Sequence, residues 1–284
     1  MRHQSFLEYK RYRYLKVAVW LCIAAIGAYG WHRAYHFDAP GGLGYGGSWM
    51  GYTLGTVATL MIVWLLWLGI RKRRYGTSVT TVQGWLSAHV YLGGALVIVA
   101  TLHTGFELGY NLHSLAFALM LVVVVSGIYG VLVLVGEPAS MTSNMGGDSV
   151  ASLLLQLQEI DTLAHKLALQ LPDAFNTLVT DAANKTRLQG SVLAHMFRTT
   201  SRSCPTAHAV ARMQLLNRQL KDEQARFGRE VVGLMLRRRS TVKKLRREFR
   251  SLARLRMWLL LHVPVSLALL CALVGHIVSV FIYW

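Results

Sequence analysis

The stretch WLSAHVYLGGALVIVATLHTGFEL, Trp85–Leu108, decides the fold. It is apolar almost throughout, yet it holds two histidines, His89 and His103, 14 residues apart. A second stretch, MWLLLHVPVSLALLCALVGHIVSVFIYW, Met257–Trp284, carries His262 and His276 at the same 14-residue spacing. On an α-helix that spacing rises about 21 Å and falls about 40° short of four full turns. Each pair therefore points to one side of its helix, with one imidazole near each end. A bilayer's hydrocarbon core is about 30 Å thick. Two such helices side by side would present facing histidines twice, once in each leaflet.

Composition supports a membrane setting. Of 284 residues, 54% are hydrophobic and only 15% charged, and the mean hydropathy is +0.38. That balance points away from a soluble domain. The formal charge of +17 raises nucleic-acid binding as a competing reading, but the cations are segregated at the ends of apolar runs, as membrane topology requires. Nucleic acid is therefore not expected as a partner. The three cysteines, Cys22, Cys204 and Cys271, do not cluster, and no CxxC occurs. This excludes a zinc or iron–sulfur framework and covalent c-type haem attachment, and no structural disulfide is expected.

The remaining apolar runs complete an all-α membrane protein of five transmembrane helices. The first run is Val17–Trp31, read as a span rather than a cleaved signal. The second is Ser48–Ile70, with Trp49 and Trp67 as interfacial anchors and a stop at Arg71-Lys72-Arg73-Arg74. The third is Thr80–Leu108, the fourth Leu112–Val135 and the fifth Met257–Trp284. In the fourth, Ser126 and Gly130 form a small-xxx-small pair suited to close packing. Residues 1–135 thus form a membrane domain, 136–256 a basic helical insertion, and 257–284 the span that completes the bundle. In the insertion, Val150–Leu171 has leucines at helical spacing, and Pro205 opens a second helix running through Arg237-Arg238-Arg239, so a helical hairpin is expected. Gly42–Gly47 matches GxGxxG, but no strand precedes it, so it reads as a flexible turn.

Charge sets the orientation. The tail Met1–Lys16 has five Lys/Arg, the second connection four, and the 136–256 segment 20 against 10 Asp/Glu. The opposite connections hold only Arg33, with Asp38 and Glu107. The positive-inside rule then predicts a cytoplasmic N-terminus, a cytoplasmic insertion attracted to anionic lipid or an acidic partner, and an extracytoplasmic Trp284. A bacterial inner membrane suits this arrangement. The third and fifth spans run parallel under it, so His89 pairs with His262 and His103 with His276.

Histidine inside a membrane is costly and marks function. Single residues of this kind often serve inter-helical hydrogen bonding, but two pairs in one register suit two haem irons, each between two axial imidazoles. Without a CxxCH these are two haem b. Gly93 and Gly94, between His89 and His103, and Ser266, four after His262, leave room for a flat macrocycle. Arg71, Arg74 and Arg256, with Arg73 and Arg254, are candidates for the propionates on the inner side. His32, His36 and His113, with Glu107, lie near the outer face, where they could take protons from a quinol. Quinone is thus a candidate second ligand. Cys204 and His208 supply too few ligands for structural zinc, and Pro205 there reads as a helix start.

This pattern resembles the four-helix di-haem core of cytochrome b in quinol-oxidising complexes. It is similar also to the ferric-reductase-like transmembrane family, where the histidines fall on the third and fifth spans. The resemblance covers roughly the second to fifth spans. It implies transmembrane electron transfer by a cytochrome b subunit of a redox complex, with the haems carrying the redox change. Ferric reductases add a cytoplasmic flavin and nicotinamide domain, which has no counterpart here. The expected donor is therefore a cytoplasmic redox subunit or a membrane quinol, and the expected outer partner a protein such as a c-type cytochrome. Two other readings stand beside this one: a stand-alone transmembrane ferric or oxygen reductase, and a haem-free membrane anchor whose basic segment docks a partner.

Overall fold

The computed structural model describes residues 6–35, 47–71, 82–136, 150–186 and 204–283. Among them every regular element is helical. After a 3-10 turn at Phe6–Glu8 come α1 (Arg13–Tyr35), α2 (Trp49–Arg71), α3 (Val82–Thr104) and α4 (Leu112–Gly136). Then follow α5 (Val150–Ala168), α6 (Asp173–Lys185), α7 (Pro205–Asn217) and α8 (Asp222–Tyr283). Helices α1 to α4 and α8 are long and apolar enough to cross a membrane. The chain divides into two compact units, Met1–Leu132 with Trp258–Trp284, and Val133–Met257.

In the first unit, α1 and α2 both pack along α3. The reason is a stripe of residues four apart on α2. Met50, Leu54, Ala58 and Ile62 are all buried and meet Leu96, Val99, Ala100 and Leu102 of α3 and Ala25 and Tyr29 of α1. Met120 of α4 and Leu269 and Leu273 of α8 complete this core. The opposite faces are apolar as well: Trp20, Leu60, Val125 and Leu132 are each at least 64% exposed. A helix that is apolar all round, with large side chains left outside its core, suits lipid rather than water.

Helix α3 stops sooner than its hydropathy suggests. The apolar run predicts a span to Leu108, but the helix ends at Thr104. Gly105 and Phe106 adopt positive φ, 62° and 66°, a left-handed turn that cannot continue a right-handed helix. Thr104 Oγ1 accepts the Phe106 N–H at 3.2 Å and steadies that turn. His103 therefore sits in the last turn of its helix. In α8, Pro264 falls two residues after His262, and its missing N–H frees the Leu260 carbonyl.

The second unit holds more helices than the expected hairpin. Pro172 caps a separate helix, α6. The helix opened by Pro205 ends at Asn217, and α8 begins afresh at Asp222. Periodicity alone joined α7 and α8 because both carry apolar residues at helical spacing. The core runs from Ala164 and Ala168 of α5 through Phe175 and Val179 of α6 and Met213 of α7 to Val231 and Met235 of α8. Beside it Arg238, 2% exposed, pairs with Asp161 of α5 through Nε and Nη2. Its Nη1 donates to Thr186 at the end of α6 and to Thr206 at the start of α7. One guanidinium thus ties four helix segments, which its planar fork of five donors permits.

Candidate functional site

The four histidines of the two apolar stretches all lie in the first unit. His89 and His103 share α3, and His262 and His276 share α8. The imidazoles of His103 and His276 approach to 6.2 Å between ring centres. His89 and His262 are near enough to interact electrostatically. Pairs on parallel helices are thus brought together at two levels.

Neighbouring helices orient the rings in a repeated way. His103 Nδ1 lies 2.7 Å from the Gly51 carbonyl oxygen of α2. A carbonyl only accepts, so Nδ1 carries the proton and Nε2 keeps its lone pair. His89 lies close to the Leu65 backbone, also on α2, while its Nδ1 is buried without a partner. Gly51 and Leu65 are 14 residues apart, so antiparallel α2 serves both α3 histidines in one register. Helix α4 does this for one histidine of α8, His262. Ser126 Oγ donates to the Val123 carbonyl at 2.8 Å, so towards His262 Nδ1, 2.7 Å away, it accepts. His262 Nε2 is again the free nitrogen. Farther along, His113 Nδ1 of α4 lies 3.4 Å from His276 Nε2. A ligating histidine whose second ring nitrogen is held by a carbonyl or hydroxyl is the arrangement metal and haem sites use.

Glycines make these approaches possible. A Cβ at Gly55 would lie 2.6 Å from His103 Cε1, so only glycine admits that ring. At Gly130 any Cβ would meet the Trp258 indole, whose Nε1–H donates to the Ser126 carbonyl at 2.8 Å. The small-xxx-small pair Ser126–Gly130 therefore receives an indole, and that indole lies tilted against the His262 ring, 5.2 Å between centres. Gly93 and Gly94 face no atom within 4 Å. Ser266 turns inward and donates to the His262 carbonyl at 2.6 Å.

These residues fit haem at the His89–His262 level, where an orphaned imidazole nitrogen and Gly93, about 40° round the helix from His89 with nothing within 4 Å, lie on one helix; Gly94 is exposed and faces away from the histidines. At the other level the axial spacing also fits. Metal–imidazole bonds of about 2.0–2.1 Å on opposite sides of one ion put ring centres about 6.3 Å apart. His113, however, lies 5.2 Å from His103 and 4.8 Å from His276. Its ring centre is thus about 4 Å from their midpoint, within the breadth of a porphyrin. A macrocycle there requires the His113 ring to turn aside.

Compared with known proteins, the chain matches no family model, no curated protein and no solved structure. A functional reading therefore rests on the four histidines, their spacing and the partners that orient them.

The other expected site residues are less informative. Arg71 ends α2, and Arg74 lies outside the described residues. Arg256 is exposed and belongs to the second unit. His36 and residues 42–46 of the glycine turn are also outside the described residues. His32 is buried, its ring edge-on to Trp49 at 5.1 Å. Gly51, Gly55, Leu65 and Trp258 were not singled out from the sequence. Backbone carbonyls and glycine clearances carry no residue-type signal, though an antiparallel register of α2 on α3 pairs Gly51 with His103 and Leu65 with His89.

Proposed function

We propose that this chain conducts electrons across a membrane through two b-type haems, each held between a histidine of α3 and one of α8. It would act as the cytochrome b subunit of a redox complex. The observation that carries this reading is the two-level repeat: four imidazoles at one 14-residue spacing, with the α3 rings set against the α2 backbone at each level. Inter-helical hydrogen bonding alone explains why histidines are tolerated, but it gives no reason for a matching period on two helices.

Haem, when bound, supplies a one-electron iron couple whose potential follows its axial ligands and surroundings. The chain's own residues do the rest. His89 and His262 would hold one haem, and His103 and His276 the other. The Gly51 carbonyl and the Ser126 hydroxyl fix ring orientation and raise ligand basicity. Gly93, four residues after His89, would keep side-chain volume away from that ring. The lipid-facing spans exclude water and keep the dielectric low.

By the positive-inside rule, the His89–His262 level faces the cytoplasm and the His103–His276 level the outer side of a bacterial inner membrane. A membrane quinol or cytoplasmic redox protein would exchange electrons at one level, and an extracytoplasmic protein such as a c-type cytochrome at the other.

The test is transmembrane electron flow. The full chain, reconstituted with haem into vesicles enclosing ferricyanide, should let external dithionite reduce the enclosed oxidant faster than in protein-free vesicles. His89→Ala should abolish the gain. Equal rates with and without the wild-type chain would overturn the proposal.

A further inference from the structure

We propose that His103, His113 and His276 form a binding site for a single transition-metal ion, taken up when no haem occupies that level. Three helices contribute one imidazole each: the last turn of α3, the first turn of α4 and the late part of α8. One nitrogen from each ring lies within 4.8 Å of the other two. The site does not rest on the haem reading, because it needs only this chain and an ion.

The distances favour a shared ion over a chain of hydrogen bonds. His113 Nδ1 and His276 Nε2 are 3.4 Å apart, which is long for a hydrogen bond. It matches the edge of a tetrahedron around an ion with metal–nitrogen bonds of about 2.0–2.1 Å, an edge of about 3.3–3.4 Å. His103 enters with its Nδ1 committed to Gly51 and its Nε2 free, so it presents a lone pair. Gly55, against which a side chain would clash, lets the ring stand where it does. Three neutral imidazoles with an open fourth position suit Zn²⁺, Cu²⁺ or Ni²⁺, which imidazole prefers over harder ions. All three rings are half-buried, leaving water a route to the fourth position.

The same geometry makes ion and haem exclusive. The His113 ring that completes the ion site stands inside the breadth of a macrocycle between His103 and His276. His113 thus distinguishes the two occupants: required for the ion, dispensable for haem.

The experiment uses the full chain purified in detergent from haem-limited cells and dialysed against zinc chloride. The expected result is one tightly held zinc per chain. Its dissociation constant should rise at least about a hundredfold in His113→Ala and in His276→Ala, since even the loss of an outer partner costs 10–100-fold. His165→Ala, on the exposed face of α5 in the second unit, should bind zinc as wild type does. His113→Cys restores a ligand at that position and should retain zinc, which separates ligand loss from misfolding. Added haem should release zinc from wild type. No stoichiometric zinc on the haem-free wild-type chain, or unchanged affinity in His113→Ala, would overturn the proposal. Failure of the haem reading would appear separately, as a wild-type chain that binds zinc but never haem.

Discussion

Gly55→Ala tests whether the close approach of α2 to His103 builds the site. The added Cβ would sit 2.6 Å from His103 Cε1 and 2.9 Å from Nδ1. The ring cannot simply swing away, because its Nδ1–H is bonded to the Gly51 carbonyl at 2.7 Å one turn earlier on the same helix. Overpacking of this kind costs about 1–3 kcal/mol, and losing the hydrogen bond adds about 0.5–1.5 kcal/mol. Alanine's better helix propensity returns up to about 1 kcal/mol. The net expectation is a loss of roughly 1–3 kcal/mol, with the His103 ring displaced. Haem and zinc binding at the His103 level should each fall about 10–100-fold, while the His89 level keeps its haem. Ligand titration of the purified variant, with thermal unfolding alongside, reads both effects. A variant at least as stable as wild type with undiminished binding at the His103 level would refute the reasoning.

Two further outcomes follow from single contacts. Ser126→Ala removes the acceptor of the His262 Nδ1–H and should lower haem affinity at the His89–His262 level about 10–100-fold. Transfer of haem to excess apomyoglobin would measure this, and Ser126→Thr should restore most of it; equal transfer rates for wild type and Ser126→Ala would contradict it. In the second unit, Arg238→Ala leaves Asp161, Thr186 and Thr206 without their shared donor. Breaking a buried ion pair costs about 3–5 kcal/mol, and the half-solvated Asp161 carboxylate, 28% exposed, puts the expected loss near the lower end. Denaturant unfolding followed by helical signal checks it, and a change below about 0.5 kcal/mol, typical of a surface substitution, would contradict it.

Much of the first unit was legible because helical periodicity turns spacing into direction. The recurrence of histidine at 14 residues placed each pair on one helix face, and the apolar runs located the five long helices. What escaped was carried by groups without residue identity. Gly51 and Leu65 act through the backbone, and Gly55 acts through an absent side chain. His113 was read only as an outer-face histidine that could take protons from a quinol, because its meeting with His103 and His276 joins three separate helices. Gly105 after Thr104 was a readable stop signal, but the apolar Phe106 and Leu108 masked it. In the second unit, amphipathic periodicity continued across the break after Asn217, where only a short polar run, Arg218–Lys221, marks the interruption. The Arg238 hub left no local signature, since its partners lie 77, 52 and 32 residues away.

The central claim is that two imidazole pairs hold two haems. Its most direct measurement is the haem content of the purified full chain, by reduced-minus-oxidised absorption and pyridine haemochrome. The account predicts two haems b per chain, with one lost in His89→Ala or His262→Ala and the other in His103→Ala or His276→Ala. A folded wild-type chain that takes up no haem when supplied with it would contradict the account.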